Sequence, residues 1–485
     1  ADAHARLTRN VGVAVVTAGP GVTDAVTAVA NAYHARSPLL LIGGAAPLNT
    51  RGQGALQEMP QTDMFRTFTK ASFTIEKTQE IPAKLHEAFQ LALNGRPGPV
   101  FIEVPIDILY GMVENVDILP KAAAEPLKPP VSAMQQIFDL VRAAQKPILI
   151  AGSQVYWDEA HDVLRELTDQ TAMPVYTNGG GRGTLPMSHA HCFKLTRSKA
   201  LKEADLALII GTPLDFRLRY GDGWNPAIKL IQIENDPAEL NHNRQADVAL
   251  AANSRLVLEA LAEGLQGIHY NDWLAHLSGL EQIKRDQQAA WEALPDAPVN
   301  HFRFGAEVNQ FIDDDTIVIG DGGDIVSASA KVIAVNKPGR WLDPGPLGCL
   351  GVGAPFALAA QFLHPDKKVL ILSGDGSFGF NGFEFETAVR FNLPIVAIVG
   401  NDAAWGQIGN PIKKMLGQAV GSKLASTRYD KVVEALGGYG EWVETPAEIG
   451  PALARAFASG KPACINVSLD PDGLAKTNAS TPYIM

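Results

Sequence analysis

Two short runs, Gly374-Asp375-Gly376-Ser377 and Asn401-Asp402, hold the residue types from which a metal-bridged phosphate site is built. Lys368–Ser373 reads as a strand entering the first run, Phe380–Phe391 as a helix, and Pro394–Val399 as a strand entering the second. In a parallel sheet both turns leave by the carboxyl edge, so Asp375 and Asp402 can face one ion. Mg2+ takes hard oxygen ligands in an octahedral shell and leaves part of that shell to phosphate. The glycines let the backbone approach a phosphate, and a helix starting near Phe380 aims its first N–H groups at it. The chemistry expected is a diphosphate anchored through Mg2+.

Such a site needs a doubly wound scaffold. Short apolar runs alternate with helical stretches: Val11–Thr17, Pro38–Ile42, Val100–Val104, Ile148–Ala151, Leu206–Ile210, Ile317–Ile319, Val369–Leu372 and Ile395–Val399. They are apolar on both faces, the pattern of parallel strands covered by helices on each side. Proline-rich residues 118–131 read as a linker, and residues 285–300, polar at first and then carrying Pro295 and Pro298, as a second. The expected fold is therefore α/β, three doubly wound parallel-sheet domains at 1–118, 130–285 and 300–470, with 471–485 a tail or lid.

The 485 residues are 46% hydrophobic and 19% charged, enough apolar material for several cores. A net charge of -11 argues against nucleic acid or a membrane surface as the main partner. Cys192, Cys349 and Cys464 form no CxxC pair and suit a reducing cytosol, so a cytoplasmic location is expected. No apolar run reaches the roughly 18 residues of a membrane span. The opening Ala1–Arg6 reads as the interior of a helix, which leads to the expectation of further residues upstream.

The Gly-Asp-Gly run and the Asn-Asp pair resemble the signature of the thiamine diphosphate (ThDP) enzymes. The resemblance implies that Asp375, Asp402 and the Ala404 carbonyl bind Mg2+, with Gly376 and Ser377 beside the diphosphate. Asp402 stands where the family usually has Asn, and keeps an oxygen ligand. Pro344-Gly345-Pro346-Leu347-Gly348-Cys349-Leu350-Gly351 is similar to the segment in which a glycine carbonyl, here Gly348, accepts a hydrogen bond from the cofactor's amino group. A large aliphatic residue, here Leu350, bends the cofactor. Gly320-Asp321-Gly322-Gly323-Asp324 resembles the loop on the other side of the diphosphate, which implies roles for Gly322 and Asp324. Ala18-Gly19-Pro20-Gly21 resembles the pyrimidine-domain turn, with Pro20 beside the cofactor, and Gln57 a glutamine aimed at the reactive carbon. The family's activating glutamate is expected upstream of Ala1. The block order, pyrimidine-binding, middle, diphosphate-binding, is that of the acetolactate synthase / pyruvate oxidase group.

Within that group, Gly211-Thr212-Pro213-Leu214-Asp215-Phe216-Arg217, Asp343–Gly348 and Ala403–Ile408 are similar to 2-hydroxyacyl-CoA lyases and oxalyl-CoA decarboxylase. The resemblance implies cleavage of a 2-hydroxyacyl-CoA into formyl-CoA and an aldehyde or ketone, or the reverse ligation. An acetolactate synthase, a benzaldehyde-lyase-like carboligase and a non-catalytic subunit of the same fold stay open. Acyl-CoA phosphates need cationic donors, for which Arg182, Arg217 and Arg219 are candidates. Trp405 is a candidate both beside the cofactor and, with residues 408–416, as a wall of the substrate pocket. The middle block is a candidate holder of ADP or a CoA nucleotide. Family sites are shared between subunits, which implies a homodimer or homotetramer.

Overall fold

A computed structural model describes residues 1–476 apart from 116, 118, 122, 124 and 296. The chain divides into two compact units, Ala1–Pro126 with Pro344–Cys349, and Leu127–Asp343 with the residues from Leu350 onward. The first unit holds a parallel sheet of order β1-β2-β4-β3: β1 (Gly12–Val16), β2 (Leu39–Ala45), β3 (Ala71–Thr74) and β4 (Pro99–Pro105). Central β4 is buried at every residue, as a strand apolar on both faces should be. β1 departs from that reading, with Val15 73% exposed and Val13 also exposed. It is an edge strand, and a hydrophobic run does not reveal position within a sheet. The run read as a helix interior forms the helix Asp2–Thr8.

The second unit holds two six-stranded parallel sheets. The middle sheet, order β10-β9-β8-β5-β6-β7, uses β5 (Pro147–Ala151), β6 (Val175–Thr177), β7 (Cys192–Phe193), β8 (Leu206–Ile210), β9 (Lys229–Glu234) and β10 (Val248–Ala251). The C-terminal sheet, order β12-β11-β13-β14-β16-β15, uses β11 (Ile317–Asp321), β12 (Trp341–Leu342), β13 (Val369–Gly374), β14 (Val396–Asn401), β15 (Tyr439–Val443) and β16 (Ala463–Ser468). The fold is thus three parallel α/β sheets, as the alternating pattern predicts. Central strands such as β8 and β14 are buried throughout, each large aliphatic side chain contributing about 1.5–3 kcal/mol.

Two local expectations change. The helix Asn271–Glu292 runs through the first part of 285–300, so the polar residues there lie on a helix and not in a linker. Gln282 bonding Asp286 at 2.8 Å is the (i, i+4) support such a face uses. Of the tail at 471–485, Gly473–Lys476 form one helical turn. Asn300 Nδ2 donates to the Gly473 carbonyl at 3.0 Å, Leu474 packs with Phe302 and Ala328, and residues 477–485 lie outside the described chain. No described helix is long and apolar enough to cross a membrane.

Candidate functional site

Register assembles the acidic edge. β11, β13 and β14 lie side by side with Asp321 opposite Ser373 and Gly374 opposite Gly400. The three strands end level, so the turns after them meet at one carboxyl edge. Gly322 lies against the Gly374 amide and the Ser377 hydroxyl. A Cβ on Gly406 would sit 2.7 Å from Asp324 Oδ2 and 3.1 Å from Asp402 Oδ2, which places those two carboxylates around one point. Asn401 does not share in this. Its Nδ2 donates to the Thr427 carbonyl and to Asn466 Oδ1, which pins the end of β14 and leaves Asp402 to face the edge.

The helix after β13 starts at Asp375 and spans Asp375–Asn381, earlier than the expected start near Phe380. Glycine, aspartate and serine read as a turn, but contact overrides that local preference. A Cβ at Gly376 would lie 2.5 Å from the Trp405 ring, so only glycine lets the ring close on this turn. Trp405 also meets Phe380 edge-on, with ring centroids 6.1 Å apart, and its backbone N–H donates to the Ser422 carbonyl at 2.8 Å. Ala403, at φ 55, reverses the chain between Asp402 and Ala404, and the Ala404 N–H donates to Asp402 Oδ1 at 3.1 Å. Residues 408–416 form most of the helix Gly406–Leu416, on which Ile408, Met415 and Leu416 are exposed.

The electrostatics of this edge ask for a cation. Asp375 Oδ2 is buried with no hydrogen-bond partner, while Oδ1 accepts the Gly376 N–H at 2.7 Å. Burial raises the Asp375 and Asp324 carboxyls to about 6. Burial, with the charges of Asp375 and Asp324, raises Asp402 to about 7. Converging buried carboxylates are costly unless paired or bound to metal. An all-oxygen set of this kind fits a hard divalent cation. Asp321 is raised to about 6 by burial, although it accepts the Gly351 and Gly353 N–H groups at 3.0 and 2.8 Å. Those bonds tie the backbone just after Leu350 to the end of β11. Gly348, at φ +68, is exposed and belongs to the other unit.

His301 was not legible as a site residue. Its Nε2 lies 3.9 Å from Asp402 Oδ2, and its buried Nδ1 has no hydrogen-bond partner. Burial lowers it to about 4, so the imidazole beside Asp402 is neutral near pH 7. It opens the helix His301–Phe311, capped by the Asn300 side chain on the Phe302 N–H, and no motif marks it.

In the first unit, Pro20 opens the helix Pro20–Asp24. Gly19 is at φ 61, and a Cβ there would lie 2.9 Å from Gln57 Cβ. Gln57, itself at φ 63 and exposed, therefore rests on the glycine turn. Sequence reading missed the residues beneath it. Gln61 Oε1 accepts the Gly19 N–H at 2.8 Å, while Nε2 donates to the Gly44 carbonyl and to Glu103 Oε2. Buried Glu103 also takes Arg51 Nη2 at 2.8 Å and Thr74 Oγ1 at 3.0 Å.

The second unit also contains a cavity of about 550 Å3 lined by Asn178, Arg182, Lys194, Arg197, Glu281 and Lys331 among others. Arg182 stacks on the Trp341 ring at 4.9 Å. Burial, helped by Arg182, lowers Lys194 to about 7, and burial lowers Arg197 to about 10. Glu281 is occupied by the N–H groups of Lys194, Leu195 and Thr196, so its charge holds the backbone that carries Lys194. Arg217 is engaged elsewhere. Its Nη2 and Nε meet Asp215 Oδ2 at 2.6 and 3.0 Å, and Arg219 is exposed in a left-handed turn.

Paired acidic turns at the end of one parallel sheet, a glycine turn at the end of another and a central sheet between them in the chain define a cofactor-binding α/β enzyme. The family models for thiamine pyrophosphate enzymes match all three regions: the N-terminal TPP binding domain at residues 1–64, the central domain at 134–261 and the C-terminal TPP binding domain at 321–467. The chain belongs to this family of ThDP enzymes. It is 38% identical to a probable acetolactate synthase of Mycobacterium bovis, over 97% of this chain and 86% of that protein. It is 35% identical to 2-hydroxyacyl-CoA lyase 2 of Caenorhabditis elegans, over 96% of this chain and 81% of that protein. With human 2-hydroxyacyl-CoA lyase 2 the figures are 36%, 91% and 76%.

Proposed function

We propose that the chain is a ThDP- and Mg2+-dependent carbon–carbon lyase that cleaves a 2-hydroxyacyl-CoA into formyl-CoA and an aldehyde or ketone, and joins them in reverse. The observation that carries the reading is an acidic edge suited to a cation and a cationic cavity suited to phosphate within one unit. When bound, ThDP supplies an electron sink for the carbanion left as the carbon–carbon bond breaks. Asp375, Asp402 and the Ala404 carbonyl would hold Mg2+, with Gly322, Asp324, Gly376 and Ser377 bordering the diphosphate. Trp405, packed against Gly376, would keep water from that turn. Pro20, Gln57, Gly348 and Leu350 would each take the role that the resemblance implies for it.

Arg182, Lys194 and Arg197 would receive the phosphates of CoA or of an ADP-like nucleotide. Arg217, already paired with Asp215, serves this less well than Arg182. The protein would work in the cytoplasm as a homodimer or homotetramer. The similarity to 2-hydroxyacyl-CoA lyase 2 proteins supports the substrate class. The similarity to acetolactate synthases supports a second reading, synthesis of acetolactate. Kinetics with 2-hydroxyisobutyryl-CoA and a panel of related thioesters separate them. Release of formyl-CoA is expected, and acetolactate formation without any CoA-dependent turnover would put the second reading in its place.

A further inference from the structure

The middle sheet carries a side-chain cluster at its other edge. Asp169, on the helix His161–Thr171, meets His189 and His191 from the loop that leads into β7. One ligand atom of each lies within 4.8 Å of the other two. His191 passes its carbonyl to the Val175 N–H at the start of β6, so the cluster sits at the amino edge of the middle sheet, and none of its three residues lines the cavity described above.

The loop is fixed by its backbone. The His189 N–H donates to the Pro186 carbonyl at 2.9 Å, the Cys192 N–H to the His189 carbonyl at 3.0 Å, and the Met187 N–H to the Val335 carbonyl at 3.2 Å. Hydrogen-bond partners then assign the ring nitrogens. His191 Nδ1 faces the Thr168 carbonyl at 3.0 Å and must donate, which leaves the Nε2 lone pair free. A ring nitrogen oriented by a backbone carbonyl is the usual support of a metal-binding histidine. His189 Nε2 lies 2.8 Å from Asp169 Oδ1, and its Nδ1 accepts the His191 N–H at 3.2 Å.

We infer that Asp169, His189 and His191 form a site for a transition-metal dication of the Zn2+ type. Two imidazoles and one carboxylate are a ligand set that zinc accepts, with water in the fourth position. Tetrahedral ligands at about 2.0–2.1 Å lie roughly 3.3–3.4 Å apart, so the cluster must contract modestly. Exposed Asp169 is free to make that movement. No proton need leave. On binding, the His189 proton passes from Nε2 to Nδ1, the metal takes the Nε2 lone pair, and the long contact to the His191 N–H is given up. The metal would fasten a two-residue edge strand to the adjacent helix.

The test is calorimetric titration of ZnCl2 into the whole chain with ThDP and excess MgCl2 present, so that a hard-cation site is already supplied. One Zn2+ per chain is expected. His189→Gln and His191→Gln should each weaken it by more than about tenfold, a loss that removing only a ligand's hydrogen-bond partner already causes. Affinity should fall as pH drops and the imidazoles protonate. Equal Zn2+ affinity in the double variant would overturn the inference. Should the double variant melt at a lower temperature in EDTA, Co2+ bound to the unaltered chain decides. A tetrahedral absorption spectrum supports the site and an octahedral one contradicts it.

Discussion

The two six-stranded sheets of the second unit are the same scaffold carrying opposite charge. Both are parallel, and each has a central strand, β8 or β14, buried at every residue. The ends of β11, β13 and β14 present Asp321, Asp324, Asp375 and Asp402, whose carboxyls burial raises to between about 6 and 7. Around the middle sheet's cavity stand Arg182, Lys194 and Arg197, all lowered by burial. Each group of like charges is held against its own repulsion by the fold, and each would be relieved by a ligand of the other sign. Architecture therefore did not select the ligand; a handful of side chains at the strand ends did.

If the two regions act independently, each can be broken without the other. Asp375→Ala removes a carboxylate from the acidic edge and should weaken ThDP binding about 100-fold or more, since outer-sphere changes alone cost 10–100-fold. A ThDP titration in Mg2+ reads this, with CoA or ADP affinity unchanged in the same variant. Lys194→Glu should do the reverse, weakening CoA or ADP by roughly 1.5–3 kcal/mol, the range for a charge-assisted bond, while ThDP binding persists. Coupled losses in both titrations would show one site instead of two.

Glu281→Gln probes the support beneath the cationic cavity. It replaces a buried acceptor of three backbone N–H groups and the Thr196 hydroxyl, and should cost about 1–3 kcal/mol in a urea melt. A further effect is in pH. A carboxyl raised in the folded state holds a proton that the unfolded chain has lost, so metal-free stability should increase as pH falls from about 7 toward 4. The slope is at most about 1.4 kcal/mol per pH unit per group. Mg2+ should abolish this trend, and its affinity should rise with pH through 6 to 7. Phosphate affinity at Lys194 should fall as pH rises through about 7. Melting temperatures and titrations across that range check both signs.

How much of this was legible in sequence follows from distance along the chain. Gly374–Ser377 and Asn401–Asp402 were legible because strand periodicity predicts a shared edge for turns that follow neighbouring parallel strands. The helix start was misplaced because Gly376 is read locally as a turn, whereas the Trp405 ring from the next turn packs onto it. His301, Gln61 and Glu103 were missed because each reaches its site through a pairing that no spacing encodes. Arg182 and Arg217 looked alike in sequence. Only Trp341 under one and Asp215 beside the other tell them apart.

ThDP titrated into the whole chain with Mg2+ and again with EDTA, followed by circular dichroism, tests the central claim most directly. Saturable binding is expected with Mg2+ alone, and is expected to disappear in Asp402→Ala. Equal binding in EDTA, or none with Mg2+ present, would contradict a metal-anchored diphosphate at the Gly374–Asp402 edge.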